Sequence, residues 1–174
     1  MQARFLLIPA AALTISVPAH ATVYLSIEQA QALMFPGETL TADFRTLSNA
    51  QVAAIEGASD TNVLSENLKA WKASGGGWFI VDQVVGKHEF IPIALALDPN
   101  GAVKDVEILE YRESYGDEVR NPKWRAQFTG RRNGDTLKLT EDIQNISGAT
   151  LSSKHITDGV RRLLATYAIV FANH

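Results

Sequence analysis

The stretch between Leu68 and Tyr111 constrains the fold most, because it is a succession of strand-like segments joined by short turns. The segments are rich in aromatic and β-branched residues, and turns containing glycine or proline separate them, which is typical of consecutive antiparallel strands. The predicted strands are Lys69 to Ala73, Trp78 to Val85, Glu89 to Leu97 and Val103 to Tyr111. This pattern predicts an antiparallel sheet of about four or more strands.

The C-terminal segment carries the clearest helical pattern. Its apolar residues recur at helical spacing and form one stripe, with charged residues on the other faces. The stripe consists of Ile156, Val160, Leu163, Leu164, Tyr167, Ala168 and Phe171. Gly159 within it costs about 1 kcal/mol relative to alanine, so we expect a close contact there. The strands and this helix together predict an α+β fold, in which helices pack on the antiparallel sheet.

Residues 22–67 are predicted to form an N-terminal helical segment. Ser26 to Phe35 has apolar residues at helical spacing behind a serine cap, and Pro36-Gly37 stops the pattern. Leu47 to Ile55 predicts a second helix, capped by Ser48 or Asn49. The polar stretch 57–67 is predicted to be a loop.

Residues 1–21 have the three-part pattern of a secretory signal peptide. Arg4 gives a positive start, Phe5 to Val17 is mostly apolar, and Ala19-His20-Ala21 is a small-x-small cleavage site. The apolar part is too short to span a bilayer. We therefore expect cleavage after Ala21 and an exported, soluble, periplasmic mature protein.

The composition limits which cofactors and partners the protein can have. The chain contains no cysteine, which rules out disulfides, a Cys-rich zinc site, an iron–sulfur cluster and a Cys-x-x-Cys-His haem attachment. The formal net charge is −3, so nucleic acid is not an expected partner. The isolated histidines, His88 and His155 among them, do not suggest a metal cluster. An organic cofactor is one remaining route to redox chemistry.

The sequence Ser147-Gly148-Ala149-Thr150 lies just before the C-terminal helix. A helix N-terminus presents unpaired N–H groups and the positive end of a macrodipole, which together favour a phosphate. Small residues before Thr150 leave its hydroxyl open to an ester bond. The simpler interpretation is that Thr150, Ser152 and Ser153 compete to cap the helix. The residues alone leave both interpretations open.

This tetrapeptide resembles the attachment motif of the FMN-binding domain family. The family includes flavin-bearing subunits of ion-pumping NADH:quinone reductases and small exported flavoproteins. In it, a periplasmic flavin transferase esterifies the phosphate of FMN to the last threonine, which corresponds to Thr150. The resemblance extends from about Gly86 to the C-terminus and implies that residues 68–174 form an FMN-binding domain.

A second part of the resemblance is a Glu-Ser/Thr-x-Gly loop close to the flavin, which reads Glu113-Ser114-Tyr115-Gly116 here. A glycine lets backbone N–H groups approach the polar edge of isoalloxazine, and a tyrosine is suited to stack on the ring. An ordinary turn with a solvated Glu113 is the alternative. The implied cofactor-binding residues are Ser147, Gly148, Ala149, Thr150, Ser152, Glu113, Ser114, Tyr115 and Gly116.

Two further positions bear on the resemblance. The transferase's recognition pattern commonly has an aspartate three residues before the serine, where this chain has Gln144; the nearest acid is Asp142. Trp124 begins a segment, to Gly130, that resembles the family's connection between the two motifs. We expect Trp124 itself to be a core residue.

The resemblance implies an electron carrier rather than a stand-alone enzyme. Its partners would be the flavin transferase, a membrane-bound redox donor, and a periplasmic acceptor or reductase. The alternative is a non-redox binding or interaction module, in which the Ser-Gly-Ala-Thr loop is only a helix cap. A hydrolase is disfavoured, since Ser152, Ser153, His155 and Asp158 on one helix do not form a catalytic triad.

Overall fold

The computed structural model describes residues 22–113 and 115–172. The predicted signal peptide, residues 1–21, and the candidate site residue Ser114 lie outside the described residues. Within the described part, no helix combines the length and the hydrophobicity needed to cross a membrane.

The fold is α+β, as the sequence predicts. The helices are α1 (Ile27–Met34), α2 (Asn49–Ser59), α3 (Pro122–Arg125) and α4 (Thr150–Val170). The strands are β1 (Thr22–Val23), β2 (Leu40–Ala42), β3 (Arg45–Thr46), β4 (Asn67–Ala73), β5 (Trp78–Val85), β6 (Phe90–Leu97), β7 (Val103–Ile108) and β8 (Glu110–Tyr111). Short 3-10 turns at Asp117–Arg120 and Ala126–Phe128 flank α3.

The main sheet has six antiparallel strands. Its order is β2-β4-β5-β6-β7, and β3 also pairs with β4. The segment predicted as one strand from Val103 to Tyr111 divides at Leu109, whose N–H donates to the carbonyl of Pro92. After this point the chain leaves the main sheet, and β8 pairs with β1 instead. Residues 22–67 thus contribute three short strands as well as two helices.

Two apolar clusters cover the two faces of the sheet. The larger one lies under α4 and includes Ile80, Ile93 and Leu95. The smaller lies under α1 and includes Phe79, Ala94 and Ala96. Because side chains alternate between faces along a strand, neighbouring residues of β5 and β6 enter different clusters.

Local signals explain where the first two helices begin. Ser26 and Ser48 cap α1 and α2, and each forms a reciprocal capping box, with Gln29 and Gln51 respectively. Helix α2 runs to Ser59, so the prediction that it ends at Ile55 was wrong. Residues 57–59, predicted as loop, are therefore helical.

The segment between α3 and α4 is largely irregular. Among residues 136–143 the only β pairing is an isolated bridge between Leu139 and Ile143. The predicted core position of Trp124 is confirmed: it is buried edge-on against Phe128, and its indole N–H donates to the carbonyl of Gln144. This contact fixes the chain three residues before Ser147.

Candidate functional site

Thr150 is the first residue of α4. Gly148 has a φ of +88°, in the left-handed region that favours glycine, and it turns the chain into the helix. A side chain at Gly148 would meet nothing within 4 Å, so the approach to Thr150 is open on that side. Thr150 is exposed, and its Oγ1 accepts a hydrogen bond of 3.0 Å from Nδ2 of Asn145. The hydroxyl is thus oriented but remains accessible.

Helix α4 starts without a side-chain cap. Its N-cap residue, Ala149, has no side chain able to accept a bond, and no capping hydrogen bond is present among the described residues. By contrast, Ser26, Ser48 and Asn121 cap the other three helices. The alternative interpretation, in which Thr150, Ser152 and Ser153 compete to cap this helix, is therefore not what the structure shows. The longest helix of the fold therefore leaves its first N–H groups available to an anion.

Ser152 and Ser153 lie inside the helix and face the protein. Ser152 is 6% exposed and Ser153 is 0% exposed. The Oγ of Ser152 lies 2.8 Å from the hydroxyl of Tyr111. Of the three hydroxyl residues at the start of α4, Thr150 is therefore the accessible one.

The side chain of Glu113 is held by the turn between β5 and β6. Its Oε1 accepts hydrogen bonds from the backbone N–H groups of His88, at 2.5 Å, and Glu89, at 3.0 Å. Partial burial acts to raise the pKa of this carboxyl, but backbone N–H donors from the turn outweigh it, and the pKa lies below its usual value. Glu113 fastens the candidate loop to the sheet in ionised form.

Gly116 sits where the candidate loop meets α4. Its φ is +100°, and a Cβ at this position would lie 2.5 Å from the Tyr111 hydroxyl and 2.8 Å from Oγ of Ser152. Only glycine fits this contact. The loop predicted from sequence is thus brought against the first turn of the helix predicted from sequence.

Tyr111 is the residue at this contact that the sequence analysis missed. It is 2% exposed, and its hydroxyl donates to the carbonyl oxygen of Tyr115 at 2.7 Å while contacting Ser152. Burial raises the pKa of the Tyr111 phenol, so it stays protonated. A tyrosine at a position that continues the buried face of the strand segment was the available signal, since a buried phenol needs a hydrogen-bond partner.

Two large apolar side chains are exposed beside this contact. Tyr115, next to Gly116, is 85% exposed, and Leu151, next to Thr150, is 48% exposed. Exposed apolar side chains that cluster around a polar anchor are typical of a ligand-binding surface. Ser147 is also exposed in the preceding loop, whereas Ala149 is buried.

Comparison with known proteins agrees with this geometry. Residues 86–165 match the family model described as FMN-binding domain. The match begins at the β5–β6 turn that holds Glu113 and runs through the first four turns of α4. No curated protein sequence matches the chain.

Proposed function

We propose, from the match of residues 86–165 to the FMN-binding domain model, that this protein is an exported electron carrier. It holds FMN covalently through a phosphoester to Thr150. The observation that carries the proposal is the accessible hydroxyl of Thr150 at the start of a long helix that has no side-chain cap.

The groups around Thr150 suit a phosphate. The first N–H groups of α4 and the positive end of its macrodipole favour an anion at this position. Gly148 leaves the approach free. Lys154 lies one turn after Thr150 on the same face of the helix. Its ammonium pairs with Asp158 at 2.6 Å and adds a positive charge near the position of the phosphate. The charge of a phosphodiester would therefore be balanced locally.

Leu151 and Tyr115 suit the apolar ring of the same cofactor. Both are exposed and flank the contact between the loop and the helix. Bound FMN would supply the electron-transfer chemistry, while the protein anchors and partly covers it. Glu113 is bonded to the β5–β6 turn and Gly116 lies against Tyr111 and Ser152, and these contacts restrict the position of Tyr115 between them.

Covalent attachment of FMN and export of the protein together determine which partners it needs. A periplasmic flavin transferase is the partner that forms the ester. A membrane-bound redox donor and a periplasmic acceptor or reductase are the partners that exchange electrons with it. The predicted signal peptide supports a periplasmic location, where a covalent bond prevents loss of a cofactor that is made in the cytoplasm.

The test is the mass and colour of the exported protein. The full chain is co-expressed with a flavin transferase, purified and denatured, and its intact mass is measured. We expect a yellow protein whose mass is increased by one FMN less one water. Thr150→Ala is expected to abolish the increase while circular dichroism stays unchanged, because alanine is a good helix former.

Thr41→Ala is the matched control, since Thr41 is an exposed threonine on β2, away from the site. This variant is expected to carry the full mass increase. A colourless wild-type protein of unshifted mass would overturn the proposal and favour a non-redox binding module.

A further inference from the structure

A cavity lies on the face of the sheet opposite α4. Its volume is about 440 Å³, within the range of small-molecule sites. Val81 and Pro92 line it from the sheet, together with Leu109. Leu25, between β1 and α1, and Ile27, the first residue of α1, form another wall. The cavity therefore has apolar walls that come from several elements, beside polar lining residues.

The strand registers place this cavity away from Thr150. Lys69 pairs with Val81 across β4 and β5, so the two side chains share one face. Their neighbours Leu68 and Ile80 belong to the cluster under α4, on the other face. Glu110 lines the cavity, whereas the next residue, Tyr111, belongs to the cluster under α4. The sheet thus separates the cavity from the proposed FMN site.

The acidic residues that line the cavity form ion pairs, whereas, among the described residues, its lysine does not. Asp82 accepts from Arg162 at 2.8 Å, and Glu110 accepts from Arg112 at 2.7 Å, so both acids are neutralised by arginines. Lys69 has no carboxylate within 4.0 Å in the part of the chain that the structure describes. The lining therefore presents one uncompensated positive charge beside an apolar surface.

We infer that this cavity binds a small organic anion with an apolar body and a single carboxylate. The ammonium of Lys69 meets the carboxylate, and the side-chain amides of Asn67 and Gln83 on the rim supply further donors. The body packs against Val81 and Leu109. The site is independent of the FMN proposal, because none of its lining residues belongs to the Thr150 site.

The test is to titrate a small-molecule probe into the full mature chain and to monitor the backbone amide chemical shifts by NMR. The probes are phenylacetate and phenylacetamide, which share a ring and differ in charge. Phenylacetate is expected to shift the amides of β5 and of Leu109. Lys69→Gln is expected to weaken phenylacetate binding about five- to tenfold, the size of an ion pair worth roughly 1 kcal/mol.

Two controls make the outcome specific. Lys72→Gln changes an exposed lysine of the same strand on the opposite face, where its ammonium lies over Trp78, and is expected to leave binding unchanged. Thr150→Ala is also expected to leave it unchanged, so failure of FMN attachment does not affect this result. Absence of binding, equal binding of the amide, or equal effects of the two lysine changes would each overturn the inference.

Discussion

The hydroxyl of Tyr111 lies 2.8 Å from Oγ of Ser152, and this contact joins the candidate loop to the first turn of α4. The same hydroxyl donates to the carbonyl of Tyr115. One buried group therefore holds together two segments that are about 40 residues apart in the chain, and each carries part of the proposed FMN site.

Tyr111→Phe is expected to lower the free energy of unfolding by about 1 to 3 kcal/mol, because it leaves the buried Ser152 hydroxyl without this partner. Urea unfolding measures the change. In a double-mutant cycle with Ser152→Ala, the two losses are expected to be less than additive by at least about 0.5 kcal/mol. Strict additivity would show that the two hydroxyls do not interact. Tyr167→Phe, on the same face of the sheet, is a control with no comparable hydrogen bond to lose among the described residues.

Glu113→Gln is expected to reduce stability in a pH-dependent way. The folded-state pKa of Glu113 lies below the ordinary glutamate value of 4.5. Its ionised form therefore contributes stability above that value, and this contribution is lost as the pH falls through the lower, folded-state pKa. We expect a deficit on the order of 1 kcal/mol at neutral pH, and a smaller deficit in acid. Urea unfolding at several pH values measures it.

Glu141→Gln is the matched control for this prediction. Glu141 is exposed and pairs only distantly with Lys138, at 3.9 Å. The change is expected to leave stability nearly constant across the same pH range, since exposed pairs contribute little. A deficit for Glu113→Gln that persists undiminished in acid would contradict the ionised hydrogen-bonding role.

The sequence predicted the regular elements well, because their signals are local. The alternation in β5 and β6, the caps at Ser26 and Ser48, and the apolar stripe of α4 each depend on neighbouring residues. The sequence left Ser152 and Ser153 open as caps of α4, because their burial depends on tertiary contacts that no local pattern shows. The role of Tyr111 was missed for the same reason, since its partner Ser152 is distant in the chain. The cavity beside Lys69 depends on the packing of β1 and α1 over the sheet, which no local pattern encodes.

Gly159→Ala decides between a local and a tertiary effect. Helix propensity alone would make alanine more stable by about 1 kcal/mol. A Cβ at this position would, however, overlap Cγ1 of Val84 on β5. Because overpacking of a core typically costs about 1 to 3 kcal/mol, we expect a net loss of stability in thermal or urea unfolding. Val84→Ala added to this variant is expected to recover part of the loss, and a stabilised Gly159→Ala single variant would contradict the close packing.

Gln144→Asp is expected to accelerate attachment of FMN to Thr150. This expectation rests on the proposed function: the resemblance to the FMN-binding domain family implies a transferase whose recognition pattern commonly has aspartate here. The hydrogen bonds that Gln144 makes do not require its side chain. The N–H of Gln144 donates to Oε1 of Gln127 at 2.8 Å, and its carbonyl accepts from Trp124, so both bonds use the backbone and survive the change. The rate is measured as intact mass against time with purified transferase and its flavin donor. Gln144→Asn, which has the size of aspartate without its charge, is the control and is expected to stay close to the wild-type rate. Equal rates for the aspartate and asparagine variants would mean that the transferase does not read a charge at this position.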